Sequence, residues 1–464
     1  MKNLLPASAL IAKFVIDLLK LEIPSLPARI MYLPDVIVVV VMLIVTVRLV
    51  ATQRLFAVPL KYMMVFMGFC YVVVSAAAMN DVSPQVSFAG ARNYFKYLPL
   101  FLIPFAYHFS AEDIRKQFVV VVGLALIQIP VTVRQRFFQF KASDFASGDV
   151  ITGTLGGSGL LSIFLVCTII MIIAYYLGKR ISLGRTIVLC LILLVPTTIN
   201  ETKVTPILLA LGTLGLVFAK RREMAARQLA LIASLSVLMG GIFISVYDTV
   251  YDVWGGEGYI GVMTSSDRTA SRVGLEGAAQ ADPSAFRVSN ERNQLVGKVA
   301  HLVEGGTKVD RLGSLEVPFQ AWLPDDPIHL LFGVGIGNVT STYGDGGKYQ
   351  FVQDLGALNT TWSHLIWECG VLGAVLYLLF LVLVLRDAVS LAADPQWWDL
   401  GAGWTSVCLI VLVVTFYLSL FMTQALLILF VYFSGLVVAK RSESPGISSS
   451  HVRFTRRVSK VRHA

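Results

Sequence analysis

From Leu4 to Ala439 the sequence repeats one pattern: a run of apolar residues about as long as a bilayer is thick, then a short polar connection. A helical span needs about 20 mostly apolar residues, because inside lipid every backbone polar group must be satisfied within the segment. Twelve candidate spans meet this requirement, at 5–22, 36–51, 59–79, 94–109, 115–133, 157–177, 183–199, 204–219, 229–248, 364–386, 403–419 and 421–439. With 56% apolar and only 14% charged residues, the composition excludes a soluble domain of this length. The expected fold class is an all-α polytopic membrane protein.

The basic residues orient it. Threading twelve spans puts Arg48/Arg54/Lys61, Arg115/Lys116, Lys179/Arg180/Arg185, Lys220/Arg221/Arg222 and the tail from Lys440 on one side. The positive-inside rule makes that side cytoplasmic, with both termini on it. The net charge of +9 therefore reads as an orientation signal, and no nucleic-acid partner is expected. The first run carries Lys13 and Asp17 one turn apart and lacks a small-residue cleavage site, so it is expected to stay as the first helix. Cys70, Cys167, Cys190, Cys369 and Cys408 all lie in or at the edge of apolar runs without CxxC spacing, as small core hydrophobes do. The chain divides into spans one to nine (1–248), a long periplasmic loop (249–363), spans ten to twelve (364–439) and a basic cytoplasmic tail (440–464).

The long loop has helical periodicity. Leu295, Val296, Val299, Leu302 and Val303 share one helical face, as on a helix lying against the membrane surface. Leu312, Leu315, Phe319 and Trp322 repeat the spacing, with a bend expected at Pro318. The Gly-rich pieces 254–258 and 341–347 read as turns, and the loop as a cap over the outer mouth of the bundle. There is no internal repeat.

Polar groups recur at the outer ends of three spans: Arg92 and Lys96 entering the fourth, Glu201 and Lys203 entering the eighth, and Asn359, His364 and Glu368 entering the tenth. Ionisable groups at membrane depth are costly and usually face a cavity or each other, which makes each a functional candidate. Each also has a plainer role. Arg92 and Lys96 can snorkel to headgroups, Lys203 can pair with Glu201, and His364 and Glu368 can satisfy each other. The loop arginines Arg268, Arg272, Arg287, Arg292 and Arg311 can form a solvated face. The segment FGVGIGNV (332–339) has no βαβ surroundings and is not a dinucleotide loop. The six histidines are scattered without metal spacing, and no metal or cofactor is expected.

Several segments together resemble the O-antigen ligase and polymerase superfamily of bacterial envelope proteins. In RLGSLEVPFQAWLPDDPIHLLFGVGIGNV, Arg311 and Pro327 stand where the family has a loop arginine, an amphipathic helix, a proline and a glycine-rich turn. In NTTWSHLIWECGVLGAVLYLL, Glu368, Gly370 and Gly373 match its Glu-x-Gly-x-x-Gly helix. NETKVTPILLALG looks like its Ser-Arg-Gly segment, with Lys203 where arginine is usual. The order of these motifs and the layout agree over about the whole chain. One departure matters: the family's histidine falls on Asn359, an amide that cannot act as a base, and His364 lies five residues later.

The resemblance implies an inner-membrane, metal-independent glycosyltransferase acting on glycans carried by polyprenyl pyrophosphate. The missing histidine favours a polysaccharide polymerase over the ligase that transfers finished glycan to lipid A-core. Arg311 and Lys203, helped by Arg92 or Lys96, would hold the departing diphosphate; His364, Glu201 or Glu368 would take the proton; Asn359 and Trp362 would bind sugar. An apolar groove between spans would take the prenyl tail, and a flippase and a chain-length regulator would be its partners. A secondary transporter and a scaffold with a dead site are the alternatives from other classes.

Overall fold

The computed structural model describes residues 2–444 apart from 24, 26, 55–56, 140–149, 201, 221–225, 254–310, 312, 324–325, 341–346 and 355–356. The described residues form helices and no strands. In chain order these are α1 (Leu4–Glu22), α2 (Leu33–Ala51), α3 (Leu60–Met79), α4 (Pro84–Phe95), α5 (Leu98–Ala106), α6 (Ala111–Arg134) and α7 (Ser158–Leu177). They continue as α8 (Leu183–Ile199), α9 (Thr205–Lys220), α10 (Ala226–Val253), α11 (Gly313–Trp322), α12 (Pro327–Phe332), α13 (Thr361–Leu391), α14 (Trp398–Tyr417) and α15 (Gln424–Glu443). Single turns lie at Ala28–Tyr32, Phe351–Asp354 and Leu420–Met422, and one turn of π-helix at Gln135–Gln139.

Eight of these helices are long and apolar enough to cross a membrane: α2, α3, α6, α7, α10, α13, α14 and α15. The chain is therefore a multi-pass membrane protein. Helices α8 and α9 are apolar but shorter. The span expected at 94–109 begins ten residues earlier and is broken. Ser83 caps α4 by accepting the amide hydrogen of Val86, and the helical chain restarts at α5, where Pro99 occupies an early position that needs no amide hydrogen.

Burial ranks the helices. The apolar window of α7 is 83% buried and those of α15 and α14 are 78% and 72%, against 28% for α2 and α3 and 17% for α10. The first three thus form the centre, and α2, α3 and α10 turn most of their apolar surface outward, as lipid-facing helices do. Helix α14 packs on α13, α9 and α7, and α15 on α5 and α13.

Some of the basic residues that orient the sequence, and Lys2, pair with carboxylates at one end of the bundle. Lys2 meets Asp113 at 2.7 Å, Lys61 meets Asp387 at 2.6 Å, Arg180 meets Asp399 at 3.2 Å and Lys440 meets Glu443 at 2.6 Å. Lys13 and Asp17 form the expected one-turn pair, at 2.6 Å within α1. At the opposite end, which carries α11 and α12, Arg134 pairs with Glu22, and Asp35 receives both Arg92 and Lys96.

Of the expected repeat, Leu315, Phe319 and Trp322 lie in a helix, α11, with Pro318 inside it, while Leu312 lies outside the described residues. Its buried face is Ser314, Val317, Ala321 and Trp322, while Phe319 is exposed. Tertiary packing selects this face, since α11 lies on both α12 and α13. The helix expected at 295–303 and the turns at 254–258 and 341–346 lie outside the described residues.

Candidate functional site

The site begins at the first turn of α13. Thr360 caps the helix by accepting the Ser363 amide hydrogen at 3.0 Å, and Ser363 Oγ accepts the Thr360 amide hydrogen at 3.2 Å. Thr361 ties this turn to the connection between α14 and α15: its hydroxyl donates to Leu418 O at 2.8 Å and accepts from the Leu420 amide at 3.0 Å. Anchored there, His364 and Glu368 stand one turn apart and wholly buried, with Nε2 and Oε2 3.4 Å apart.

Each of the two has a second partner from elsewhere in the chain. His364 Nδ1 lies 2.9 Å from Ser419 Oγ, a hydroxyl that suits either ring tautomer. Glu368 Oε1 accepts the Thr340 hydroxyl at 2.7 Å and the Gly337 amide at 3.1 Å. Tyr94 of α4 presents its ring edge-on to His364 at 5.8 Å and its hydroxyl beside Glu368. His364 Nε2, Glu368 Oε2 and Tyr94 Oη are buried, and none makes a hydrogen bond of good geometry. Three polar atoms with unused bonding capacity thus meet in an apolar core, an arrangement suited to moving or holding a proton.

The glycine-rich turn builds one wall. At Gly370 the backbone leaves helical geometry (φ 66°, ψ −175°), which frees carbonyls that the next turn of α13 would otherwise use. The turn supplies the replacement donors: Val334 N–H donates to Trp367 O at 2.8 Å and Gly335 N–H to Glu368 O at 3.1 Å. Gly333, Gly335 and Gly337 all have positive φ. A side chain at Gly337 would stand 2.2 Å from Val86 O, and one at Gly370 2.1 Å from Leu331 O, so the turn fits only as bare backbone.

Arg311 and the segment that leads to Lys203 reach the start of α7 through separate contacts. The Arg311 guanidinium lies 4.0 Å from the centre of the Tyr417 ring. That ring packs on Gly159 in the first turn of α7. On the same turn, Asn200 donates to Ser158 O at 2.9 Å and to Ser162 Oγ at 2.8 Å, while its side-chain oxygen accepts the Thr202 amide. Lys203, half-buried, follows directly. Tyr417, which carries Arg311, and Asn200, three residues before Lys203, therefore both touch the start of α7.

The remaining candidates separate. Arg92 and Lys96 lie one turn apart on α4 and face Asp35, while Tyr94, about 200° around the helix from each, faces His364. The two cations thus sit on the far side of α4 from the His–Glu pair. Asn359 is exposed, just before the cap. Trp362, expected to stack on sugar, is instead buried against Tyr377 and Phe416. Glu201 lies outside the described residues.

Periodicity and charge carry no signal for Tyr94, Thr340 or Ser419, nor for a second histidine, His329, that is held by polar partners in the loop. Asp326 caps α12, accepting the His329 amide hydrogen at 3.2 Å and contacting its ring Nδ1. Burial acts to raise the Asp326 carboxyl, but its bonds from His329 outweigh that and hold it below the ordinary carboxylate range. An Asp followed by Pro at the first helical position was a readable cap signal. No family model matches the chain, and no curated protein matches it in sequence.

Proposed function

We propose that the chain is a polysaccharide polymerase of the bacterial inner membrane, transferring a growing glycan from polyprenyl pyrophosphate to the acceptor sugar of another lipid-linked repeat unit. The acceptor hydroxyl oxygen bonds to the anomeric carbon, and the bond from that carbon to the diphosphate oxygen breaks, its electron pair leaving with the lipid. Charge grows on the departing phosphates, so fixed cations in a water-poor site lower the barrier. Arg311 and Lys203 serve there, the planar guanidinium by contacting phosphate through two N–H groups. The acceptor proton passes by way of Ser419 and His364 towards Glu368, which takes over the role that Asn359 cannot fill.

One observation carries this reading. Tyr417, beneath Arg311, and Ser419, bonded to His364, are two residues apart in extended chain, since Leu418 has φ −150° and ψ 163°. Two such residues span about 7 Å, so Tyr417 and Ser419 lie on one short extended connection. The eight long helices, with α1, α8, α9 and the broken α4–α5 pair, make up the twelve crossings this reading uses. Both termini and the paired cations then face the cytoplasm, and the outer loop faces the periplasm, where a flippase delivers substrate and a chain-length regulator meets the product.

The break at Gly370 beside a buried His–Glu pair also suits a secondary transporter, whose substrate sites form at interrupted helices. Purified protein in liposomes with a lipid-linked repeat unit separates the two. The polymerase reading expects new glycosidic bonds with donor and acceptor on one side of the membrane, and loss of polymer in Arg311→Ala and Lys203→Ala at normal membrane abundance. Long polymer from both variants refutes it.

A further inference from the structure

His329 sits in α12 with both ring nitrogens engaged. Nδ1 contacts the Asp326 carboxylate, and Nε2 lies 2.6 Å from Asn80 Oδ1, just past the end of α3. Which end of the Asn80 amide faces His329 is decided by its other partners. Asn80 Nδ2 lies 2.8 Å from Ala76 O and 3.1 Å from Gly333 O, and carbonyl oxygens only accept. The nitrogen is thereby committed to two donations, so the oxygen must face the ring. A carboxylate on one side and an amide oxygen on the other both demand a donor, and only the doubly protonated imidazolium has two. Trp322 stacks on the same ring at 5.0 Å and 23°, a placement that favours a cation over an indole face.

We infer that His329 is held as an imidazolium and is a positioning residue: its two N–H bonds clip the outer loop to α3 and so hold the glycine turn against Glu368. The links are continuous. His329 orients Asn80, Asn80 holds Gly333 O, and the turn that starts at Gly333 delivers the amides of Val334, Gly335 and Gly337 to the Trp367 carbonyl and to the carbonyl and carboxylate of Glu368. The groups that face the ring are Asp326 from its own helix, neutral Asn80 from the end of α3 and neutral Trp322 from α11. From α13 it is Trp367, packed under Trp322, that approaches, and it is neutral. Asp326 is thus the charged partner among the contacts described. A ring with a single N–H would leave one of the two acceptors without a donor, so the clip needs both protons.

The test uses the full chain in lipid nanodiscs, with ¹⁵N-labelled histidine and the His329 signal assigned by its absence in His329→Gln. The expected spectrum shows two protonated ring nitrogens; one bare nitrogen throughout the range in which the protein is folded overturns the inference. Hydrogen exchange across 333–340, corrected for intrinsic rates, supplies the functional readout. Loss of a charged hydrogen bond amounts to an equilibrium factor of about 10–100, so His329→Gln should speed exchange there by about that factor. His329→Arg, a permanent cation with several donors, should restore protection; exchange as fast in Arg as in Gln also overturns the inference. The link to Glu368 rests on the polymerase reading, but both measurements are independent of catalysis. A protonated ring in a protein without polymerase activity would sink that reading and leave the clip standing.

Discussion

Glu368 Oε1 accepts the backbone amide of Gly337 at 3.1 Å, so a carboxylate buried in a membrane helix is held by the main chain of the loop between α12 and α13. The bond is possible because α13 breaks at Gly370 and the loop backbone enters the gap. Alanine at Gly370 or Gly337 would have to adopt positive φ, which costs about 1–3 kcal/mol, and would also meet a backbone oxygen. Both variants should lose thermal stability by more than that strain alone, whereas Gly123→Ala, with open space around it, should be neutral or stabilising. Melting curves of the three proteins in one detergent decide this; a Gly337→Ala protein as stable as the parent would mean that the turn is not seated as described.

Glu368→Gln separates packing from proton transfer. The amide oxygen still accepts from Gly337 and Thr340, so folding should be little changed, but an amide cannot take up the acceptor proton. The rate of polymer formation should fall by about 10²–10⁴-fold, the usual contribution of a positioned base. Equal initial rates for variant and parent, measured with the same lipid-linked substrate, would remove Glu368 from the chemistry.

The helices were largely legible because a bilayer imposes its own thickness on apolar runs, and the expected boundaries of α3 and α7 lie within a residue of the observed ones. The fourth span was misplaced because Arg92 and Lys96 lowered the hydropathy of its first half, and their neutralisation by Asp35, 57 residues earlier at the nearest pair, leaves no local trace. At the site, His364 and Glu368 were visible as ionisable groups in an apolar helix. Thr340 and Ser419 were not, since short hydroxyls in connections carry no periodicity and acquire their role only through contacts made across 28 and 55 residues. The three glycines of the 333–337 turn stand out in the sequence, but what they signal, bare backbone entering a broken helix, depends on contacts with α13 made more than 30 residues away.

Because Arg92 and Lys96 turn away from His364 to share Asp35, their removal should cost stability and not turnover. Asp35→Asn leaves two cations with a neutral partner, an expected loss of about 1–3 kcal/mol. Arg92→Ala should be less stable than the parent, yet make polymer at the parent's rate per folded molecule. A selective rise in KM for the lipid diphosphate in Arg92→Ala, at unchanged melting temperature, would instead place it on the substrate.

Acid should loosen the loop. The Asp326 carboxyl is held below its ordinary range, so the stability it contributes is present above that range and is lost as pH falls below it, through the lowered value. Asp326→Asn should remove this acid sensitivity from the exchange of residues 326–333 and leave exchange in α7 unchanged. Identical acid profiles in variant and parent would assign the loosening to another group.

Helix α12 should lie among lipid chains although it belongs to the long loop. Leu331 O packs against Gly370, nine residues into α13, which is about 13 Å along that helix from its first residue. On α12, Ile328 and Leu331 are 53% and 44% exposed, and Leu372 and Val375, just past the break in α13, are exposed as well. These side chains continue the apolar surface of α3, where Met67, Tyr71 and Val74 are also exposed. A water-facing surface of this kind is rare, whereas a lipid-facing one needs no partner protein. Spin labels at Ile328→Cys and Leu331→Cys, in a chain with Cys70 and Cys167 changed to Ser, should collide more with oxygen than with a water-soluble nickel chelate. A label at exposed Glu316→Cys on α11 should show the reverse. Nickel-dominated relaxation at Leu331 would put α12 in water and detach the glycine turn from membrane depth.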